Sequence, residues 1–147
     1  MMTILKLLVL GFLGSVAPAV AINIEKRLLL WAGLGGMLGI LTALLVNPYV
    51  VSFSISQIFA GTIVIGLYSE LMAKVLKAPA TVFVIPGIFP LVPGITAYKT
   101  IQAFVNNEVT EAILLGIDTI AKAFTIAFGI MLVTALFRLV RRTRVRK

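Results

Sequence analysis

No residue from 28 to 69 carries a charged side chain. A helix crossing a hydrocarbon core of ~30 Å needs about 20 predominantly apolar residues, so this stretch is twice the length of one crossing. It has to turn back within itself, and Asn47-Pro48 near its middle is a dipeptide that favours a turn. Further uncharged runs cover residues 7–24, 78–98 and 123–137. The last of these extends backward past Lys122, whose aliphatic stem can carry its charge toward the interface. The pattern predicts an all-α integral membrane protein with about five transmembrane helices in a single domain, residues 1–147. The spans are placed at 4–24, 28–46, 50–73, 78–98 and 113–138, with a basic tail over 139–147.

Composition agrees. Of 147 residues, 61% are hydrophobic and 12% charged, and the mean hydropathy of +1.14 is far from that of a soluble domain with a wettable exterior. The chain has no cysteine and no histidine, which excludes disulfide frameworks, Cys/His metal sites and His-dependent triads. No paired carboxylates or activated nucleophile stand at useful spacing either, so neither an enzyme nor a bound cofactor or metal is expected.

The net charge of +8 resembles a nucleic-acid signature only until it is located, because six of the thirteen basic residues fall in residues 138–147. Such a tail abutting a span reads as a topology signal facing anionic membrane lipids, not as a nucleic-acid site. Lys26 and Arg27, then Lys74 and Lys77, then the tail would share one side if all five segments cross, and the positive-inside rule makes that side cytoplasmic. The N-terminus is then outside, with only Lys6 and Lys99 among the outer basic residues. The first segment imitates a signal peptide through Lys6 and Ala17-Pro18-Ala19, but its apolar stretch is longer than a usual h-region, so it is read as a retained span.

The fourth segment departs from an ordinary helix. Pro79, Pro86, Pro90 and Pro93 are four of the six prolines in the chain, and Gly87 and Gly94 follow two of them. Each interior proline costs a regular helix about 3 kcal/mol or more, which argues against a continuous helix through 86–94. Irregular backbone at membrane depth persists only where it is buried in protein or lines a wet cavity, as in transporters with interrupted helices. Pro86, Gly87, Pro90, Pro93 and Gly94 are therefore candidate substrate-binding positions. Tyr98 and Lys99 close the segment on the proposed outer side, as interfacial anchors or as groups that draw in a carboxylate.

Two carboxylates are candidates for coupling or for lining a pathway. Glu70 precedes Lys74, and Asp118 precedes Lys122, each at the favourable i,i+4 spacing for a helical ion pair. Glu70 would sit near the cytoplasmic mouth and Asp118 at the interfacial start of the last span; a charge deeper than that would demand a partner or water. Glu108 and Glu111 belong to a polar stretch that faces water. Gly35 and Gly39 form a small-xxx-small pair that allows close helix approach, within the chain or with another subunit. Ser52, Ser54, Ser56 and Gln57 open the third span, either along a pathway or exposed at the outer interface.

Pro79-Ala80-Thr81-Val82-Phe83, Ile85-Pro86-Gly87-Ile88, and Pro90-Leu91-Val92-Pro93-Gly94 with Tyr98 resemble the threonine/serine exporter family. The match is to its small-subunit form, which corresponds to the C-terminal membrane half of the fused exporters. Tyr68-Ser69-Glu70-Leu71 with Lys74 and Lys77 fits the same pattern, as does Gly116-Ile117-Asp118-Thr119 through to Phe137-Arg138. This resemblance implies a subunit of the bacterial plasma membrane that works with a larger transporter subunit of the same family. It also implies export of small amino acids, threonine and serine, or of a dicarboxylate such as succinate. Many relatives continue Pro-Gly into further glycines and a basic residue, whereas Gly94 here is followed by Ile95-Thr96-Ala97-Tyr98-Lys99, a difference that bears on substrate choice. One small chain is insufficient to enclose a pathway, so the partner or a homo-oligomer is expected. The alternative is a structural subunit that stabilises its partner without touching the small-molecule substrate.

Overall fold

The computed structural model describes residues 2–47 and 53–145. Pro48, the expected start of the third span at Val50, Ser52, and the tail residues Arg146 and Lys147 lie outside the described residues. Every regular element among the described residues is helical: α1 Met2–Ala21, α2 Lys26–Val46, α3 Ile55–Val75, α4 Thr81–Ile88, a 3-10 turn Phe89–Leu91, α5 Gly94–Val105 and α6 Val109–Val145. Four helices are long and apolar enough to cross a membrane, and the pair Thr81–Leu91 and Gly94–Val105, bent by 52°, supplies a fifth when taken as one span.

The helix ends are set by local chemistry. Asn23, Lys77 and Asn107 adopt left-handed backbone, with φ of 57°, 51° and 61°. After each, the next amide bonds back five residues, Ile24 to the Ala19 carbonyl, Ala78 to Ala73 and Glu108 to Ala103. This closure satisfies carbonyls that a helix end otherwise leaves unpaired. It stops α1 at Ala21, a turn before the expected 24, and carries α5 to Val105, beyond the expected 98. Between Ile95 and Val105 no breaker intervenes, so Tyr98 and Lys99 lie within α5 and do not close the segment.

Glycines let the helices of the bundle approach closely. A Cβ on Gly36 would fall on Ser15 Oγ, and one on Gly33 would meet the Phe12 ring, so α1 lies tight against α2. On another face of α2, Gly35 abuts Tyr68 and the Phe83 carbonyl, while Gly39 abuts Ile65 and Leu91. The Gly35/Gly39 pair is thus used within the chain. Gln57, 1% exposed, clamps the C-terminal end of α2 to the N-terminal end of α3. Its amide donates to the Asn47 carbonyl at 2.7 Å and the Ala43 carbonyl at 3.2 Å, and its carbonyl accepts from the Ser54 amide at 2.7 Å. Buried in this way, Gln57 neither lines a pathway nor faces the outer interface.

Helix α6 serves two neighbours in succession. Its first turns pair with α5, Gly116 against Thr100. Farther on it pairs with α3, in the order Phe128 with Phe59, Gly129 with Thr62, Val133 with Gly66, and Phe137 with Lys74. Both series ascend, so α3 and α6 run parallel. The bent pair must therefore return the chain from the end of α3 to the level of its start, as one broken crossing does.

Candidate functional site

The break lies later than the first of the clustered prolines. Pro86 is accommodated inside α4, buried, and Gly87 packs with a would-be Cβ 2.9 Å from Ile65 Cγ2. A single missing donor is tolerable in so short a helix, which ends at Ile88 and tightens into the 3-10 turn. The chain then turns sharply at Pro93, with φ −77° and ψ 53°, and the Gly94 amide donates to the Val92 carbonyl at 2.8 Å. This is an inverse γ-turn. It interrupts the helical ladder because Pro93 has no amide to offer and Gly94 has bonded locally.

The turn opens a cavity of about 470 Å³, lined by Phe53 and Ile58, by the break and the first turn of α5 as far as Thr96, and by Lys99, Leu115, Asp118 and Lys122. Its volume falls within the range of about 300–1,000 Å³ common for small-molecule sites. Lys122 Nζ donates to Asp118 Oδ2 at 2.6 Å, with side-chain exposures of 7% for the lysine and 42% for the aspartate. Lys122 is thus buried beside its carboxylate and does not extend its stem to the interface, as the apolar length of the last span suggested. The cavity also receives the first turn of α5, where amide groups lack intrahelical acceptors and the helix dipole favours negative charge. One carboxylate, two ammonium groups and a helix N-terminus meet here, a set complementary to a small molecule carrying both charges.

The expected site residues divide among four places. Pro90, Pro93, Gly94, Lys99 and Asp118 come together in this cavity. Pro86 and Gly87 lie apart, in the α4 packing. Tyr98, 66% exposed, lies on another face of α5. Glu70 lines a second cavity of about 480 Å³ at the opposite end of α3, with Lys74, Ala78, Pro79, Thr81, Thr134 and Arg138. There Lys74 does not pair with Glu70 as their spacing suggests; its Nζ stands 4.5 Å from the centre of the Phe137 ring. Among the described residues Glu70 makes no ion pair.

Sequence reading missed two residues as site members. Lys122 was legible as the i+4 partner of Asp118, and only its burial was not. Arg138 read as the start of a topology signal, and nothing in the sequence shows that α6 brings it against the α3–α4 connection.

A family model described as Threonine/Serine exporter, ThrE matches residues 7–136 of the chain. No curated protein and no solved structure matches it.

Proposed function

The chain belongs to the threonine/serine exporter family, and on that premise we propose that it is a membrane transporter subunit moving threonine or serine through the cavity at the Pro93 break. The observation that carries this reading is the meeting of Lys99, Asp118 and Lys122 at that break. Asp118, whose Oδ2 is held by Lys122, receives the substrate ammonium on its other carboxylate oxygen. Lys99 and the first turn of α5 receive the substrate carboxylate, the arrangement by which interrupted helices hold anionic groups. Lys122, bonded to Asp118 Oδ2, fixes the position of that carboxylate at the cavity. A zwitterion matches this set better than succinate, whose second carboxylate would face Asp118.

The protein sits in the bacterial plasma membrane with its N-terminus outside and its basic tail in the cytoplasm, as the distribution of Lys26, Arg27, Lys74, Lys77 and the tail supports. A larger subunit of the same family completes the pathway, because one small chain is insufficient to enclose one.

The test is export of labelled threonine, serine and succinate by cells carrying this chain alone, the larger subunit alone, or both. Export of threonine and serine only with both supports the two-part exporter, and export by this chain alone points to a homo-oligomer. Succinate export in preference to both amino acids overturns the substrate assignment. Absence of all three with verified membrane insertion favours the structural subunit.

A further inference from the structure

The two cavities carry the same chemistry. Each measures close to 500 Å³, at about 470 and about 480 Å³. Among the described residues each presents one carboxylate and two cations: Asp118 with Lys99 and Lys122 at the break, Glu70 with Lys74 and Arg138 at the other end. Both are walled by α3 and α6. From Ile58 to Glu70 along α3 is about 18 Å at ~1.5 Å per residue. Between them α3 and α6 close on one another through Thr62 against Gly129 and Gly66 against Val133.

One difference separates them. At the break the carboxylate already holds an ammonium, that of Lys122. At the other end the lysine in helical register with Glu70 rests over the Phe137 ring instead. Glu70 has no ion-pair partner among the described residues, and its register lysine is held 4.5 Å from an aromatic centroid by attraction to the ring face. Glu70 is therefore left open to an external cation within a cavity that also offers Arg138 to a carboxylate and the hydroxyls of Thr81 and Thr134 to a polar side chain.

We propose that the Glu70 cavity is a second substrate station, where the ammonium of a hydroxy amino acid is captured on Glu70 and its carboxylate on Arg138 before it moves along α3 and α6 to the break. The Phe137 ring is the specificity device: by holding Lys74 it stops this lysine from occupying the place of the substrate ammonium. The inference rests on reading the chain as an amino-acid exporter.

The experiment uses inside-out membrane vesicles containing the complete transporter, so that the concentration of labelled threonine at the cytoplasmic mouth is set directly. Rates are normalised to the amount of this chain in the membrane. Loss of one charged hydrogen bond predicts that Glu70→Gln raises the half-saturating threonine concentration about tenfold or more, with the maximal rate kept within about twofold. Glu70→Asp restores most of the affinity. Phe137→Leu, which keeps every charge, raises half-saturation in the same direction by freeing Lys74. Competition by 2,3-dihydroxybutyrate, which replaces the ammonium with a hydroxyl, is weak against the native transporter and strengthens relative to serine in Glu70→Gln. Unchanged half-saturation in both Glu70→Gln and Phe137→Leu overturns the second station while leaving the exporter reading intact. No uptake of labelled threonine or serine by the native vesicles overturns the exporter reading itself.

Discussion

Glycine does opposite things in two regions of this molecule. Along the α2–α3 seam a Cβ on Gly61 would lie 2.8 Å from the Gly39 carbonyl oxygen and 2.9 Å from Leu91 Cδ1. The two backbones meet there, and only hydrogen fits between them. At Gly94, beside the break, a Cβ would meet nothing within 4 Å. The first region derives its order from contact, as close-packed membrane helices do when small residues face one another. In the second the backbone course is set by the missing amide of Pro93 and a local γ-turn, and the space alongside remains open. A rigid bundle of α1 to α4 thus holds an irregular segment whose polar groups are available to something other than protein.

That contrast can be broken at several points. Gly61→Val should give the largest effect, since the Gly39 backbone cannot move aside as a side chain could. Overpacking of this kind costs about 1–3 kcal/mol even for small insertions, and a branched side chain against backbone should exceed that. The expected outcome is loss of monodisperse protein in detergent chromatography, and a normally folded variant would show that the seam is looser than described. Asp118→Asn comes next. It should reduce threonine export at least tenfold while the protein remains in the membrane, because removing the charge takes away a charge-assisted contact to substrate of about 1.5–3 kcal/mol. Export unchanged at equal abundance would remove the break cavity from the pathway.

Gly94→Ala sharpens the comparison from the other side. With open space around it, the substitution should leave thermal stability within about 0.5 kcal/mol of the native protein, in contrast to any substitution at Gly61. A marked loss of stability would mean that the break is packed after all. An effect of the opposite sign is expected at Ser15. Its hydroxyl is buried against Gly36 and finds no hydrogen-bond partner among the described residues. Ser15→Ala should raise stability by about 1 kcal/mol by removing an unpaired polar group, measured as a higher melting temperature in detergent, and a drop would show that the hydroxyl is satisfied.

Much of the fold was legible because membrane crossing imposes a length on apolar runs. The 28–69 run divided as expected into α2 and α3, and the proline cluster did mark a break. The position of that break was less legible. Proline content alone treats Pro86, Pro90 and Pro93 as equals, whereas a short helix absorbs Pro86 and the ladder fails only where Pro93 and the local bond of Gly94 coincide. The site was half legible for a similar reason. Asp118 with Lys122 and Glu70 with Lys74 have the same spacing and the same expected pairing, yet only the first pair forms. Phe137, far along the chain, decides the second.

By itself, then, the sequence determined that this chain is a membrane protein, which segments are apolar enough to cross, and which of them is interrupted. These follow from local rules: apolar length, the missing amide of proline and the side on which positive charge collects. Only the tertiary structure decided which polar groups face one another. It buried Lys122, turned Tyr98 away from the cavity, drew Lys74 onto an aromatic ring and brought Arg138 beside Glu70. The reason is that α6 packs first on α5 and then on α3, and such contacts between distant segments leave no periodicity in the sequence to be read.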